Sequence, residues 1–252
     1  MSAFKTLKLF DYSILASDIS FLQIGSKCMI NTINQYSYII AEKDPQFKKA
    51  LMESDVLLPD GIGILVAARV LKNKKIKKVA GADLHQYLLE QLQSKSGRCF
   101  YLGSSEKTLG EIKKRLDEEF PSVKAGFYSP PYKPTFGEDD NLQMLKAVNS
   151  FKPDVLFIGM TAPKQEKWSA EHKHKLDANV ICSIGAVFDF YAGTVKRPGG
   201  IWVKLGLEWF MRLLKEPKRL KKRYIYYGPS FLYVILKQKV NDIFSSKTAV
   251  ID

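Results

Sequence analysis

Asp60 follows the apolar run Val56-Leu57-Leu58-Pro59 and precedes Gly61-Ile62-Gly63, so a carboxylate stands on a glycine-rich turn between a strand pattern and a helix pattern. There it can meet a bound ligand, or it can accept backbone N–H bonds as the cap of the following helix. The turn is not a dinucleotide fingerprint, because the third glycine would fall at Val66, and no basic residue makes it a Walker loop. Gly103-Ser104-Ser105-Glu106 is a second strand-to-helix turn, whose N–H groups and hydroxyls suit a phosphate or a plain capped helix start. Thr32 and Asn34 follow a strand-like run from Cys28 to Asn31 and can hydrogen-bond a ligand or the adjoining turn. In Gly159-Met160-Thr161-Ala162-Pro163-Lys164-Gln165-Glu166-Lys167-Trp168, Pro163 suits the first turn of a helix. Gln165 then reaches over the ligand edge in one reading and is solvated beside Glu166 in the other.

No metal ligand set stands out. His172 and His174 are two apart on a helix pattern and face different ways, and His85 has no Cys or His companion. Glu138-Asp139-Asp140 lies at a helix start, where acids complement the dipole, and no Asp-x-Asp motif is present. Cys28, Cys99 and Cys182 sit in apolar runs and read as reduced core residues.

The elements that must hold these residues alternate along the chain. Apolar runs at Lys27–Ile33, Asp55–Leu58, Arg98–Leu102, Val123–Phe127, Asp154–Ile158 and Val180–Ile184 are each, save the last, followed by a helical pattern. Those patterns are Gln35–Met52, Ile62–Leu71, Glu106–Phe120, Asp139–Phe151 and Lys164–Lys175. Parallel connections need about a dozen residues and usually a helix, so the order predicts an α/β, Rossmann-like doubly wound, mostly parallel sheet. Ligands of such sheets bind beyond the carboxyl ends of the strands, which is where Asp60, Asn34 and Gln165 are expected. Tyr128–Gly137, with Pro130, Pro131 and Pro134, reads as a surface loop.

After Gly185 the chain becomes aromatic and basic. Residues 196–252 carry 13 Lys and Arg against 4 Asp and Glu, so +9 of the total +13 falls there. The division expected is a catalytic core over 1–195 and a basic, aromatic, helical C-terminal appendage over 196–252. Trp202–Leu214 suits an amphipathic helix broken at Pro217, and Tyr224–Leu236 is an apolar run interrupted by Gly228-Pro229. No stretch reaches the roughly 20 apolar residues of a spanning helix, and the start lacks the apolar run of a signal peptide. A cytosolic chain is expected, with a tail suited to phosphate oxygens of nucleic acid, anionic lipid or a phosphorylated substrate.

Several motifs in a fixed order resemble the WecG/TagA/CpsF glycosyltransferases, glycosyltransferase family 26. They are Thr32-Ile33-Asn34, Leu58-Pro59-Asp60-Gly61-Ile62-Gly63, Gly81-Ala82-Asp83-Leu84 and Pro153-Asp154 through Gly159 to Trp168. Gly185–Phe190, Ala192–Arg197, Gly206–Trp209 and Arg212–Pro217 complete the series, which spans about Met29 to Tyr224. The resemblance implies an inverting, metal-independent transfer, without a cofactor, from a UDP-sugar to an undecaprenyl-diphosphate-linked sugar. N-acetylmannosamine or a related hexose is the sugar it suggests, and cell-surface polysaccharide or teichoic acid synthesis the setting. Asp60 matches the general base, and Thr32, Asn34 and Gln165 match polar positions around donor and acceptor. Lys78 stands where relatives usually carry arginine, keeping the charge and losing the bidentate fork. Arg212, Arg219, Lys222 and Arg223 match or stand beside the appendage arginines that meet the substrate diphosphate. Arg197-Pro198-Gly199-Gly200 departs from the usual Arg-Ala-Pro.

The partners so implied are a UDP-sugar, a polyprenyl-diphosphate-linked acceptor and an anionic membrane surface, with the enzyme peripheral on the inner face of a bacterial plasma membrane. Nucleic acid is not among them, and a homo-oligomer is left open. The competing reading is a basic module for nucleic acid or an acidic partner on a Rossmann-like core. Its weakness is that the first 195 residues carry only +4 of the charge. An epimerase would need the complete glycine fingerprint and a Tyr-x-x-x-Lys pair, neither of which the chain has.

Overall fold

The computed structural model describes residues 4–195, 213–214 and 225–248. It opens with a hairpin, β1 (Thr6–Leu9) and β2 (Tyr12–Leu15), and then alternates strand and helix. β3 (Cys28–Ile33), β4 (Val56–Pro59), β5 (Arg98–Gly103), β6 (Lys124–Tyr128), β7 (Val155–Gly159) and β8 (Val180–Ser183) form one sheet in the order β4-β3-β8-β7-β5-β6. Every pairing in that sheet is parallel. The helices between them are α1 (Gln35–Ala41), α2 (Pro45–Met52), α3 (Ile62–Lys72), α4 (Gly81–Ser94), α5 (Glu106–Glu119), α6 (Glu138–Phe151) and α7 (Lys164–His172). α8 (Val187–Tyr191) follows β8, and a last helix, α9, spans Tyr227–Thr248.

The two-residue period of the strands divides the core. Cys28 and Ile30, Val56 and Leu58, Cys99 and Tyr101, Val155 and Phe157, and Val180 and Cys182 face one layer, covered by α4, α5 and α8. Phe100, Leu102, Leu156, Ile158 and Ile181 face the other, covered by α6 and α7. A third cluster joins Ile33 and Leu57 to the hairpin, α1, α2, α3 and α9. Burial explains why the strands read as continuous apolar runs. All three thiols are free and buried, and burial pushes the Cys28 thiol up to about 12.

Four details differ from the sequence reading. The helix expected over Gln35–Met52 is two helices, because Asp44 accepts the Phe47 N–H at 3.0 Å and Pro45 starts α2 afresh. β3 runs on to Ile33, so Thr32 lies inside the strand rather than beyond it. α4 and the hairpin were not foreseen as elements. Gly228-Pro229 does not interrupt the C-terminal run: both residues lie within α9. α9 packs against α1 and α3, burying Tyr227, Phe231 and Ile235 at four-residue spacing. Among the described residues no helix is long and apolar enough to cross a membrane.

Candidate active site

The parallel register places the central pair. Ile33 lies opposite Pro59, so the next residues, Asn34 and Asp60, leave adjacent strands side by side. The Asp60 N–H donates to the Ile33 carbonyl at 2.9 Å and holds the two exits together. Beyond α3 the chain returns to the same corner, where the Val79 N–H donates to the Pro59 carbonyl at 3.0 Å. Lys78, half-buried, is thereby brought beside the end of β4.

α3 starts on the glycine turn that follows Asp60. The cap residue of α3 is Gly61, at φ 112° and ψ 151°. Only glycine takes this backbone geometry without strain. A Cβ on Gly61 would come within 3.1 Å of Gln35 Oε1, and one on Gly63 within 3.1 Å of the same atom. Gln35 therefore lies across the glycine turn that carries Asp60. It was not singled out from the sequence, although the paired glycines signal a close neighbour.

Asn34 is the cap of α1: its Oδ1 accepts the N–H groups of Tyr36 and Ser37, each at 3.0 Å. The turn thus takes Oδ1, and any contact with a ligand falls to Nδ2. Thr32 pairs with Leu58 within the strand and is half-buried. Asp83 accepts the Ala80 N–H at 3.0 Å and shapes the start of α4.

Gln165 sits at the end of β8, the strand next to β3 on its other side. Its Oε1 lies 3.2 Å from where a Cβ of Gly185 would be, and Gly185 has φ +49°. Two strand spacings, about 10 Å, separate this strand from that of Asp60. Gln165 is 4% exposed and Glu166 2%, so neither is solvated at the helix surface. Gln165 Nε2 donates to Glu166 Oε1 at 2.8 Å, and Gln165 Oε1 has no hydrogen-bond partner among the described residues. A buried amide oxygen in that state is poised to accept a donor. The buried face of α7 continues with Ser169 and His172, polar groups under a helix whose hydropathy pattern concealed them. An ion pair from Lys167 to Asp44, 2.8 Å, ties α7 to the start of α2.

Gly103-Ser104-Ser105-Glu106 is a capped turn. Ser105 Oγ accepts the Thr108 N–H at 3.2 Å, and the turn ends β5, four strands along from β4. His85 is a core residue, 2.7 Å from the Tyr101 hydroxyl, and burial lowers its pKa to about 3. Among the described residues no group of three or more His, Cys, Asp or Glu side chains is placed to hold a metal ion. Arg212, Arg219, Lys222 and Arg223 lie outside the described residues, as do Trp202 and Trp209.

The chain as a whole can be compared with known proteins. The profile described as the glycosyl transferase WecG/TagA/CpsF family matches residues 8–243. The chain belongs to this family. It is a glycosyltransferase of the WecG/TagA/CpsF type on an α/β, Rossmann-like fold.

Relatives with given names extend the comparison. A Bacillus subtilis (strain 168) protein named N-acetylglucosaminyldiphosphoundecaprenol N-acetyl-beta-D-mannosaminyltransferase is 30% identical over 213 residues, 84% of this chain and 80% of its own. A protein of the same name from Bacillus spizizenii is 26% identical, covering 88% of this chain and 84% of its own. One from Staphylococcus aureus (strain MW2) is 27% identical, covering 83% and 73%.

Of the residues singled out from the sequence of this WecG/TagA/CpsF member, the fold gathers Thr32, Asn34, Asp60 and Lys78 at one corner. Gln165 stands beyond the end of β8 along the same edge.

Proposed function

We propose that the protein transfers N-acetylmannosamine, or a related hexose, from a UDP-sugar to an undecaprenyl-diphosphate-linked N-acetylglucosamine on the inner face of a bacterial plasma membrane. The product serves cell-surface polysaccharide or teichoic acid synthesis. The observation that carries the reading is the pair Asn34 and Asp60, set side by side by the β3–β4 register at the open edge of a family glycosyltransferase.

In this reading the Asp60 carboxylate takes the proton of the acceptor hydroxyl as that oxygen attacks the anomeric carbon. The bond from that carbon to the UDP oxygen breaks, UDP leaves with the electron pair, and the configuration inverts. Asp60 suits the task by position, at the exit of β4 beside Asn34. Asn34 Nδ2 and Thr32 hold sugar hydroxyls, and Gln165 Oε1 accepts a donor from the bound nucleotide sugar or acceptor. Lys78 and the appendage residues Arg212, Arg219, Lys222 and Arg223 meet diphosphate oxygens. Residues 1–195 form the catalytic core and 196–252 an appendage that completes the site at an anionic membrane. No metal and no further cofactor takes part.

The test is incubation of the purified chain with a panel of UDP-sugars and short-chain polyprenyl-diphosphate sugars, with products weighed by mass spectrometry. A hexose-sized mass gain on the acceptor is expected. Asp60→Asn keeps the shape and removes the proton acceptor, and should cut turnover by about 10²–10⁴-fold while UDP still binds. Turnover within threefold of the parent would remove Asp60 from the role of base.

A further inference from the structure

α3 begins two residues after Asp60 and turns one line of side chains away from the core. Ile64, Ala67, Ala68 and Leu71 are buried, whereas Ile62, Val66 and Val70 are 45%, 38% and 36% exposed. These three stand four residues apart and so form a straight aliphatic row of about 12 Å. α9, which packs beside α3, does the same: behind its buried Tyr227, Phe231 and Ile235 it presents Leu232, Leu236 and Val240, each about half exposed. Two neighbouring helices with outward apolar rows are unusual on a water-facing surface.

The chain leaving α3 is cationic. Lys72, Lys74, Lys75 and Lys77 are exposed, Arg69 lies beside Val70, and no acid occurs between residues 69 and 78. The acids that face this region are Asp18, which feels Lys77, and Asp11 and Asp242, which line a cleft with Lys8 and Lys72. The lysines therefore outnumber their neighbours of opposite sign.

We propose that this side of the catalytic domain, α3 with the lysine run after it and the outer row of α9, is a docking face for an anionic lipid bilayer. Aliphatic rows flanked by lysines match the interface of a bilayer, where acyl chains lie beneath anionic headgroups. A symmetric contact between two copies would set lysine runs against each other, and a nucleic acid would leave the aliphatic rows without a partner. The face adds to any contact made by residues 196–224 and fixes the orientation of the body. Ile62 on the membrane puts Asp60 at the level of the headgroups, where the diphosphate of a lipid-linked acceptor lies. That last step rests on the function proposed above.

The experiment is co-sedimentation of the full chain with vesicles of phosphatidylcholine alone or of phosphatidylcholine and phosphatidylglycerol at three to one. Lys72→Glu/Lys74→Glu/Lys75→Glu should weaken binding to the anionic vesicles by at least about a hundredfold, since each basic residue near such a surface contributes about fivefold. Val66→Ser/Val70→Ser should weaken binding to both vesicle types by about tenfold. Transfer to a soluble short-chain acceptor should stay at the parent level in both variants, because neither set belongs to the site. Should the glutamate variant fail to fold, the glutamine counterpart gives the same reading with a smaller loss. Unchanged vesicle binding in both variants overturns the proposal. So does unchanged vesicle binding with either a raised KM for long-chain acceptors alone, which assigns the face to the polyprenyl chain, or a changed elution volume, which assigns it to a second copy. A parent chain that binds vesicles and transfers no sugar separates failure of the proposed reaction from failure of the docking face.

Discussion

Gly61→Ala should damage stability and turnover together. The backbone there, φ 112° and ψ 151°, belongs to a region that residues with a Cβ scarcely enter, at a cost of about 1–3 kcal/mol. The new methyl would also stand 3.1 Å from Gln35 Oε1, so that side chain must give by a few tenths of an ångström, and 3.4 Å from Asn34 Cβ. For a chain of this size about 2 kcal/mol corresponds to a fall of about 4–8 °C in Tm. The turn carries Asp60, and a shift of about 1 Å at a reacting group costs about a hundredfold in rate. Thermal unfolding and kcat, measured on the same preparations, test both effects. Gly63→Ala is the control: it meets Gln35 as closely, at 3.1 Å, but sits in a regular helix, so less than about 1 kcal/mol should be lost. Gln35→Ala combined with Gly61→Ala removes the contact and leaves the dihedral strain. If the pair regained the parent's Tm, the damage would be steric and the conformational argument wrong. A Gly61→Ala protein with the parent's Tm and kcat would refute both.

Further outcomes follow from the same structure. Transfer should continue in EDTA; loss of turnover restored by magnesium or manganese would reveal a metal site. His85 carries a pKa depressed from 6.5 to about 3 by burial, so between those values the unfolded chain binds the extra proton and stability falls as pH falls. The slope from this group is at most about 1.4 kcal/mol per pH unit, and His85→Phe should flatten the acid limb in urea unfolding measured from pH 6.5 to 4; equal slopes would exclude His85 as its source. Arg212→Glu/Arg219→Glu/Arg223→Glu should lower transfer to a soluble short-chain acceptor at least about tenfold. Parent-level transfer there would remove those arginines from the substrate diphosphate.

The sheet was legible because β5, β7 and β8 are covered on both faces and must be apolar throughout. The hairpin was not, since Thr6–Leu9 is only four residues long and its turn, Phe10-Asp11, lacks the Asn-Gly or Asp-Gly pair that marks such connections. α4 breaks the alternation: no apolar strand run precedes it, since the chain reaches Gly81 from α3 through the lysine-rich residues 72–78. Asp60 and Asn34 could be placed at the ligand edge from order alone, but their adjacency depends on register, which pairs Ile33 with Pro59 and is not written in either segment. Burial of Gln165 and Glu166 lay beyond reach for a different reason: periodicity reports apolar faces, and α7 buries Gln165, Glu166, Ser169 and His172.

The pairing of Ile33 with Pro59 also sets which length changes the gene for this protein can bear. Loss of the Leu57 codon, within β4, turns Leu58 toward the wrong layer and moves Gly61 into the place of Asp60, so packing and reaction fail in one event. A codon gained or lost at Lys74 or Lys75 falls in an exposed connection and leaves Asn34 beside Asp60. In-frame insertion scanning should show that division as dead and viable blocks alternating along the first eighty codons, with the boundary falling at each strand end.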